Sequence, residues 1–153
     1  VRYYLAGPID FDEEKIKTDW KTQLKEWCKQ HPGIVLFDPD TFAFGSITKP
    51  VSEFIHDVNM SAIDHCDAIV ARWMSGQMSV GTPMELYYAT TIRKPIILIT
   101  NMAKDSVYLN YVANKCFTVV SSIDQGYGAI LRFDKEQYEQ QRMLQGSDPE
   151  PMV

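Results

Sequence analysis

The sequence predicts an α/β fold: a single-domain, Rossmann-like (flavodoxin-like) three-layer sandwich around a five-stranded parallel sheet. Three observations predict it. Short β-rich runs alternate along the chain with stretches of helical periodicity, the order that right-handed strand–helix–strand crossovers produce. Two of those runs, Ala68–Ala71 and Pro95–Ile99, are apolar without alternation, as in strands covered on both faces. The length of 153 residues suits one domain, and no repeat, linker or low-complexity segment divides it. The domain is placed at residues 1–144 and a loose tail, rich in proline and acid, at 145–153.

Arg2–Ala6 is the first strand, closed by Gly7-Pro8. From Asp12 to Gln30, Ile16, Trp20, Leu24, Trp27 and Cys28 recur on one helical face, and His31-Pro-Gly33 stops the helix. Ile34–Phe37 is a second strand before the turn signal Asp38-Pro-Asp40, and residues 41–49 read as loop. A helix from Val51 to His65 carries Phe54, Ile55, Val58 and Ala62. Strand Ala68–Ala71 leads through a loop with Gly and Ser at 73–81 into a helix from Thr82 to Ile92. Strand Pro95–Ile99, a short helix at Ser106–Asn114, strand Phe117–Val120 and a polar helix from about Tyr127 to Leu144 complete the order. In such sheets ligands sit beyond the carboxyl ends of the strands. The loops Gly7–Asp12, Asp38–Thr41 and Trp73–Glu85 therefore define the site, with Gly7, Asp38 and Gly81 as substrate-binding candidates.

Composition excludes several functions. The chain has 20 acidic and 15 basic side chains, a net charge of −5, and no Lys/Arg run, which argues against a nucleic-acid polymer as partner. No apolar run approaches the ~20 residues of a membrane span, so no membrane partner is expected. Cys28, Cys66 and Cys116 lie far apart with no zinc spacing, and His31, His56 and His65 do not cluster, so no metal site is expected. Reduced thiols point to a cytoplasmic protein. Gly76 and Gly81 have phosphate-loop separation, but Thr82 stands where that motif needs lysine. No G-x-G-x-x-G occurs, and no cofactor is expected.

The stretch Ser75-Gly-Gln-Met-Ser-Val-Gly-Thr-Pro-Met-Glu85 carries the chemistry. Thr82-Pro-Met-Glu85 is a capping-box pattern, with Thr82 as N-cap, Pro83 at N1 and Glu85 at N3. On one reading Glu85 bonds back to the cap and only starts a helix. On the other, the helix dipole holds Glu85 ionised at the mouth of the sheet. There a carboxylate can attack a sugar anomeric carbon and form a covalent glycosyl intermediate.

These residues together resemble the nucleoside 2-deoxyribosyltransferase superfamily, which includes the nucleoside 5′-monophosphate N-glycosidases. Tyr4-Leu-Ala-Gly-Pro8 is similar to the family's opening strand and loop, Cys66–Ala71 to its "aD-hhhA" strand, and Ser79–Ala89 followed by Lys94-Pro95 to its "GT-xx-E-hxxA…KP" signature. The resemblance implies a retaining double displacement with Glu85 as nucleophile and Tyr4 orienting it. It implies a homo-oligomer in which Asn110 reaches a neighbouring subunit's site and binds the sugar 5′-hydroxyl. The bland alternatives are a strand-end aromatic for Tyr4 and a helix-surface amide for Asn110. Two positions depart from the family. Asn59 stands where an aspartate usually protonates the nucleobase, which an amide cannot do; Asp57 and Asp64 are possible substitutes. Ser79 matches the serine with which the monophosphate glycosidases bind phosphate, although Asp10 and Asp12 would repel one. The expected function is transfer of 2-deoxyribose from a deoxynucleoside to another nucleobase. Hydrolysis of nucleoside 5′-monophosphates and a non-catalytic nucleotide-binding module are the alternatives.

Overall fold

A computed structural model describes residues 1–8, 19–41, 49–102 and 106–145 of the chain. Among them the elements run β1 (Arg2–Ala6), α1 (Trp20–Cys28), β2 (Val35–Phe37), a 3₁₀ turn (Pro39–Thr41), α2 (Lys49–His65), β3 (Ala68–Arg72), α3 (Gly81–Thr91), β4 (Ile96–Ile99), α4 (Val107–Ala113), β5 (Thr118–Val120) and α5 (Ile123–Gln145). The five strands form one parallel sheet in the order β2-β1-β3-β4-β5. The fold class read from the sequence is the one observed.

Strand alternation sorts the core into two layers. Tyr4, Ala6, Ile69, Ala71, Ile96 and Leu98 pack against α2, α3 and α4. Tyr3, Leu5, Ala68, Val70, Ile97 and Ile99 pack against α1 and α5. β3 and β4 are buried on both faces, which explains their unbroken apolar runs. The chain leaves β1 toward one edge and, from β3, builds toward the other. The sheet therefore has its topological switch between β1 and β3.

Three boundaries differ from expectation. α1 starts at Trp20, with Asp19 capping it through a bond from the Lys21 N–H (3.1 Å); residues 12–18 of the expected helix lie outside the described residues. α2 begins at Lys49, inside the segment read as loop. α5 starts at Ile123, not near Tyr127, because Ser122 Oγ accepts from the Gln125 N–H (3.2 Å) while Gln125 Oε1 accepts from the Ser121 N–H (3.0 Å). Gly126 and Gly128 masked that start in the sequence, yet Gly126 is buried against Ile99, whose Cδ1 would lie 2.8 Å from an added Cβ. The helix runs to Gln145, and residues 146–153 of the expected tail lie outside the described residues.

Candidate functional site

Tyr4, fully buried at the middle of β1, stacks its ring on Phe37 of β2 (centroids 5.7 Å, 18° between planes). Its parity in the strand turns it toward α3, where its hydroxyl donates to Glu85 Oε1 at 2.7 Å. That bond joins β1 to the helix that follows β3, across the switch point of the sheet.

The local reason for Glu85's position differs from the one read in the sequence. Thr82 is not the cap: Val80 holds that position with no side-chain cap bond, and one residue before it Ser79 Oγ accepts from the Thr82 N–H (3.2 Å) and donates to Thr82 Oγ1 (2.8 Å). The helix therefore starts earlier, at Gly81, and Glu85 is its fifth residue. Its carboxylate takes no part in capping. It also lies past the first turn, where the dipole field is strongest. The loop before it is braced from within, by Trp73 Nε1 donating to the Gln77 carbonyl (3.1 Å) and the Met74 N–H donating to Gln77 Oε1 (3.0 Å).

Burial, rather than the dipole, governs Glu85's charge. It pushes the carboxyl above its ordinary value, and Asp40's charge adds to the rise; the Tyr4 hydrogen bond and the Lys21 ammonium pull the other way. Burial and the adjacent Glu85 charge push the Tyr4 hydroxyl far above its ordinary value, so Tyr4 keeps its proton and acts as donor.

Lys21 went unread in the sequence. It is 4% exposed on α1 and donates to Asp38 Oδ1 (3.1 Å) and to Asp40 Oδ2, while Lys25 donates to Asp38 Oδ2. Burial raises the Asp38 carboxyl, but the Lys25 and Lys21 ammoniums and the Asp40 N–H outweigh it and hold the group below its ordinary value. For Asp40 burial wins over Lys21, with Asp38 and Asp19 adding to the rise. The available signal was spacing: Lys21 and Lys25 are four apart on α1, on the side that meets the Asp38-Pro-Asp40 turn.

The remaining candidates are placed as follows. Gly7 is half-buried where a Cβ would lie 2.8 Å from the Trp20 ring and 2.9 Å from the Arg72 carbonyl, so packing alone demands glycine there. Gly81 has open space around its Cα, and nothing in the structure requires glycine. Asp38 is held by the two lysines. Ser79 is engaged with Thr82. Asn59 is half-buried on α2; Asn110 is exposed on α4, with its Oδ1 accepting from Asn114 Nδ2 at 3.1 Å. Among the described residues neither asparagine is hydrogen-bonded to Glu85 or Tyr4. The proposed substitutes for Asn59 are committed elsewhere. Asp57 is 80% exposed and pairs with His56 (3.0 Å). Asp64 accepts from the Tyr88 hydroxyl (2.8 Å), and Lys94 Nζ ties the Asp64 and Cys66 carbonyls at the amino end of β3, the far end from the switch. Among the described residues no three His, Cys, Asp or Glu side chains converge on a metal position, and no helix is long and apolar enough to cross a membrane.

A groove of about 780 Å³ opens between α3 and α4, lined by Trp73, Met84, Leu86, Tyr108, Tyr111 and their neighbours with no charged side chain among them. Met84, Tyr87, Tyr108 and Tyr111 are 57%, 60%, 85% and 48% exposed on this face.

The arrangement offers a partly buried carboxylate with one oxygen fixed by Tyr4. Among the described residues its Oε2 has no hydrogen-bond partner. Solved structures share the fold. A conserved protein from Enterococcus faecalis V583 superposes with a TM-score of 0.69 at 18% identity, over 86% of this chain and 98% of its own. A 2-deoxyribosyltransferase from Bacillus psychrosaccharolyticus gives 0.62 at 16%, over 82% and 89%. A CMP N-glycosidase from Clostridium botulinum gives 0.54 at 16%, over 81% and 93%. No curated protein matches the chain by sequence. The family described as nucleoside 2-deoxyribosyltransferase matches it over residues 3–143.

Proposed function

The chain belongs to the nucleoside 2-deoxyribosyltransferase family, and from that premise we propose that it cleaves the N-glycosidic bond of a 2′-deoxynucleoside and passes the deoxyribose to another nucleobase. The observation that carries this reading is the 2.7 Å bond from Tyr4 to Glu85 at the switch point of the sheet. In the first half-reaction Glu85 Oε2 attacks C1′, the bond to the base nitrogen breaks with its electron pair leaving on the base, and a glycosyl ester forms. In the second, the incoming base nitrogen displaces the carboxylate and restores the β-linkage, its N–H proton passing to solvent, from which the departed base takes one up. Tyr4 holds Oε1 so that one lone pair of the carboxylate faces the sugar.

Asn59 orients the base by hydrogen bonding and supplies no proton. Gly7 serves the site by letting β1 pack against Trp20 and the Arg72 carbonyl, and Asp38 acts on the substrate only through Lys21 and the 3₁₀ turn. Hydrolysis of a 5′-monophosphate is the less supported reading, because Ser79 donates its proton to Thr82 and not outward. A second copy of the chain covers the apolar groove between α3 and α4 and brings its Asn110 to the neighbouring site. The size of the exposed aromatic face supports this.

Incubating one deoxynucleoside with a foreign base and separating the products tests the activity. A new deoxynucleoside is expected. Free sugar and base alone, with faster turnover of 5′-monophosphates, would replace transfer by hydrolysis.

A further inference from the structure

The sheet face opposite Glu85 carries a polar cavity of about 400 Å³ at the carboxyl ends of β1, β3 and β5. Arg72 lines it. As the last residue of β3 it shares the parity of Ala68 and Val70 and so faces the α1–α5 side. Among the described residues its half-buried guanidinium makes no hydrogen bond and no ion pair. Asp19 lines the same cavity but lies outside ion-pair distance, and its carboxylate caps α1.

Several of the other lining groups are donors. Gln77 spends its carbonyl oxygen on the Met74 N–H, which leaves its amide hydrogens for the cavity. Ser121 spends its N–H and hydroxyl on Gln125 Oε1, and beside it Ser122 stands at the amino end of the 23-residue α5, the positive end of its dipole. Trp20, 4% exposed, lines the same cavity, and its buried indole N–H has no partner among the described residues. A guanidinium drawn out of water without a counter-ion is costly, and donors that outnumber acceptors leave the imbalance standing. An oxyanion cancels both.

The geometry points to this cavity as a binding site for a small phosphate-bearing molecule, separate from the Glu85–Tyr4 site, with Arg72 as its anchor. Arg72 presents paired N–H groups matched to two phosphate oxygens. The amino end of α5 at Ser122 faces the third. The inference is independent of the glycosyl-transfer reading.

The test is a titration of the full chain with inorganic phosphate, followed in amide and indole NMR spectra, with the Trp20 indole peak identified through Trp20→Phe. Saturable shifts are expected at the Trp20 indole and at the Ser121 and Ser122 amides. Arg72→Gln should weaken affinity by about tenfold or more. Ser122→Asp places a carboxylate in the cavity while remaining a good helix cap, so its fold holds and phosphate binding falls by a similar factor. Glu85→Gln should bind phosphate as the parent does. Repeating the titration with deoxyribose 5-phosphate separates the sources: tighter binding at the same peaks identifies a sugar phosphate, and weaker binding identifies free phosphate. Shifts that do not saturate, unchanged affinity in both Arg72→Gln and Ser122→Asp, or shifts confined to residues around Glu85 would overturn the proposal.

Discussion

At the scale of single residues, the account rests on how Glu85 is charged and aimed. Only the ionised carboxylate attacks, and burial raises its pKa. The rate should therefore fall as pH drops through a value above the usual carboxylate range. Tyr4's bond pulls that value down, so Tyr4→Phe should move the acid limb of kcat/KM to higher pH. It should also lower kcat about 10- to 100-fold, the scale of a hydrogen bond to a charged group. A pH–rate profile of the two proteins checks both; an unmoved limb would show that Tyr4 does not act through Glu85's ionisation. Glu85 and Tyr4 were legible in the sequence because each sits in a recognisable segment on a strand–helix boundary. Lys21 was not. It lies two residues from Asp19, in a helix whose face looked amphipathic, and a lysine beside Trp20 reads as solvent-exposed until its partners Asp38 and Asp40 are known to converge on it.

At the scale of elements, Lys21 clamps α1 to the turn that leaves β2, with side chains 5% exposed for Lys21 and 7% for Asp38. Lys21→Met would leave Asp40 without its counter-charge and Asp38 with Lys25 alone, at a cost of about 3–5 kcal/mol. Denaturant unfolding should show the midpoint falling accordingly; a midpoint within error of the parent would mean the pairs are replaced by solvent. The strands were legible almost to the residue, because β3 and β4 are buried on both faces and β1 ends at a Gly-Pro signal. Helix starts were less so. Capping depends on which hydroxyl meets which N–H, and both Ser79 and Thr82 offered the same chemistry in the sequence. The true start became clear only when Ser79 was seen to hold the Thr82 N–H, which moved Glu85 two residues inward and freed it from the cap.

At the scale of the whole molecule, the topology places β1 and the β3–α3 connection side by side, and this alone brings Tyr4 to Glu85 from 81 residues away. The apolar face of α3 and α4 makes assembly testable. Tyr108→Glu puts a charge at an 85% exposed aromatic on that face. In light scattering after gel filtration the parent should run as an oligomer and the variant as a smaller species with reduced turnover. A monomeric parent with full activity would separate function from assembly and leave Asn110 a surface amide. The reaction itself has a more direct test. Rapid quenching of the enzyme with a deoxynucleoside and no acceptor base, followed by peptide mass spectrometry, should find one deoxyribosyl group esterified to the peptide containing Glu85, and none in Glu85→Gln. An adduct on another residue, or Glu85→Gln turning over at the parental rate, would contradict the account.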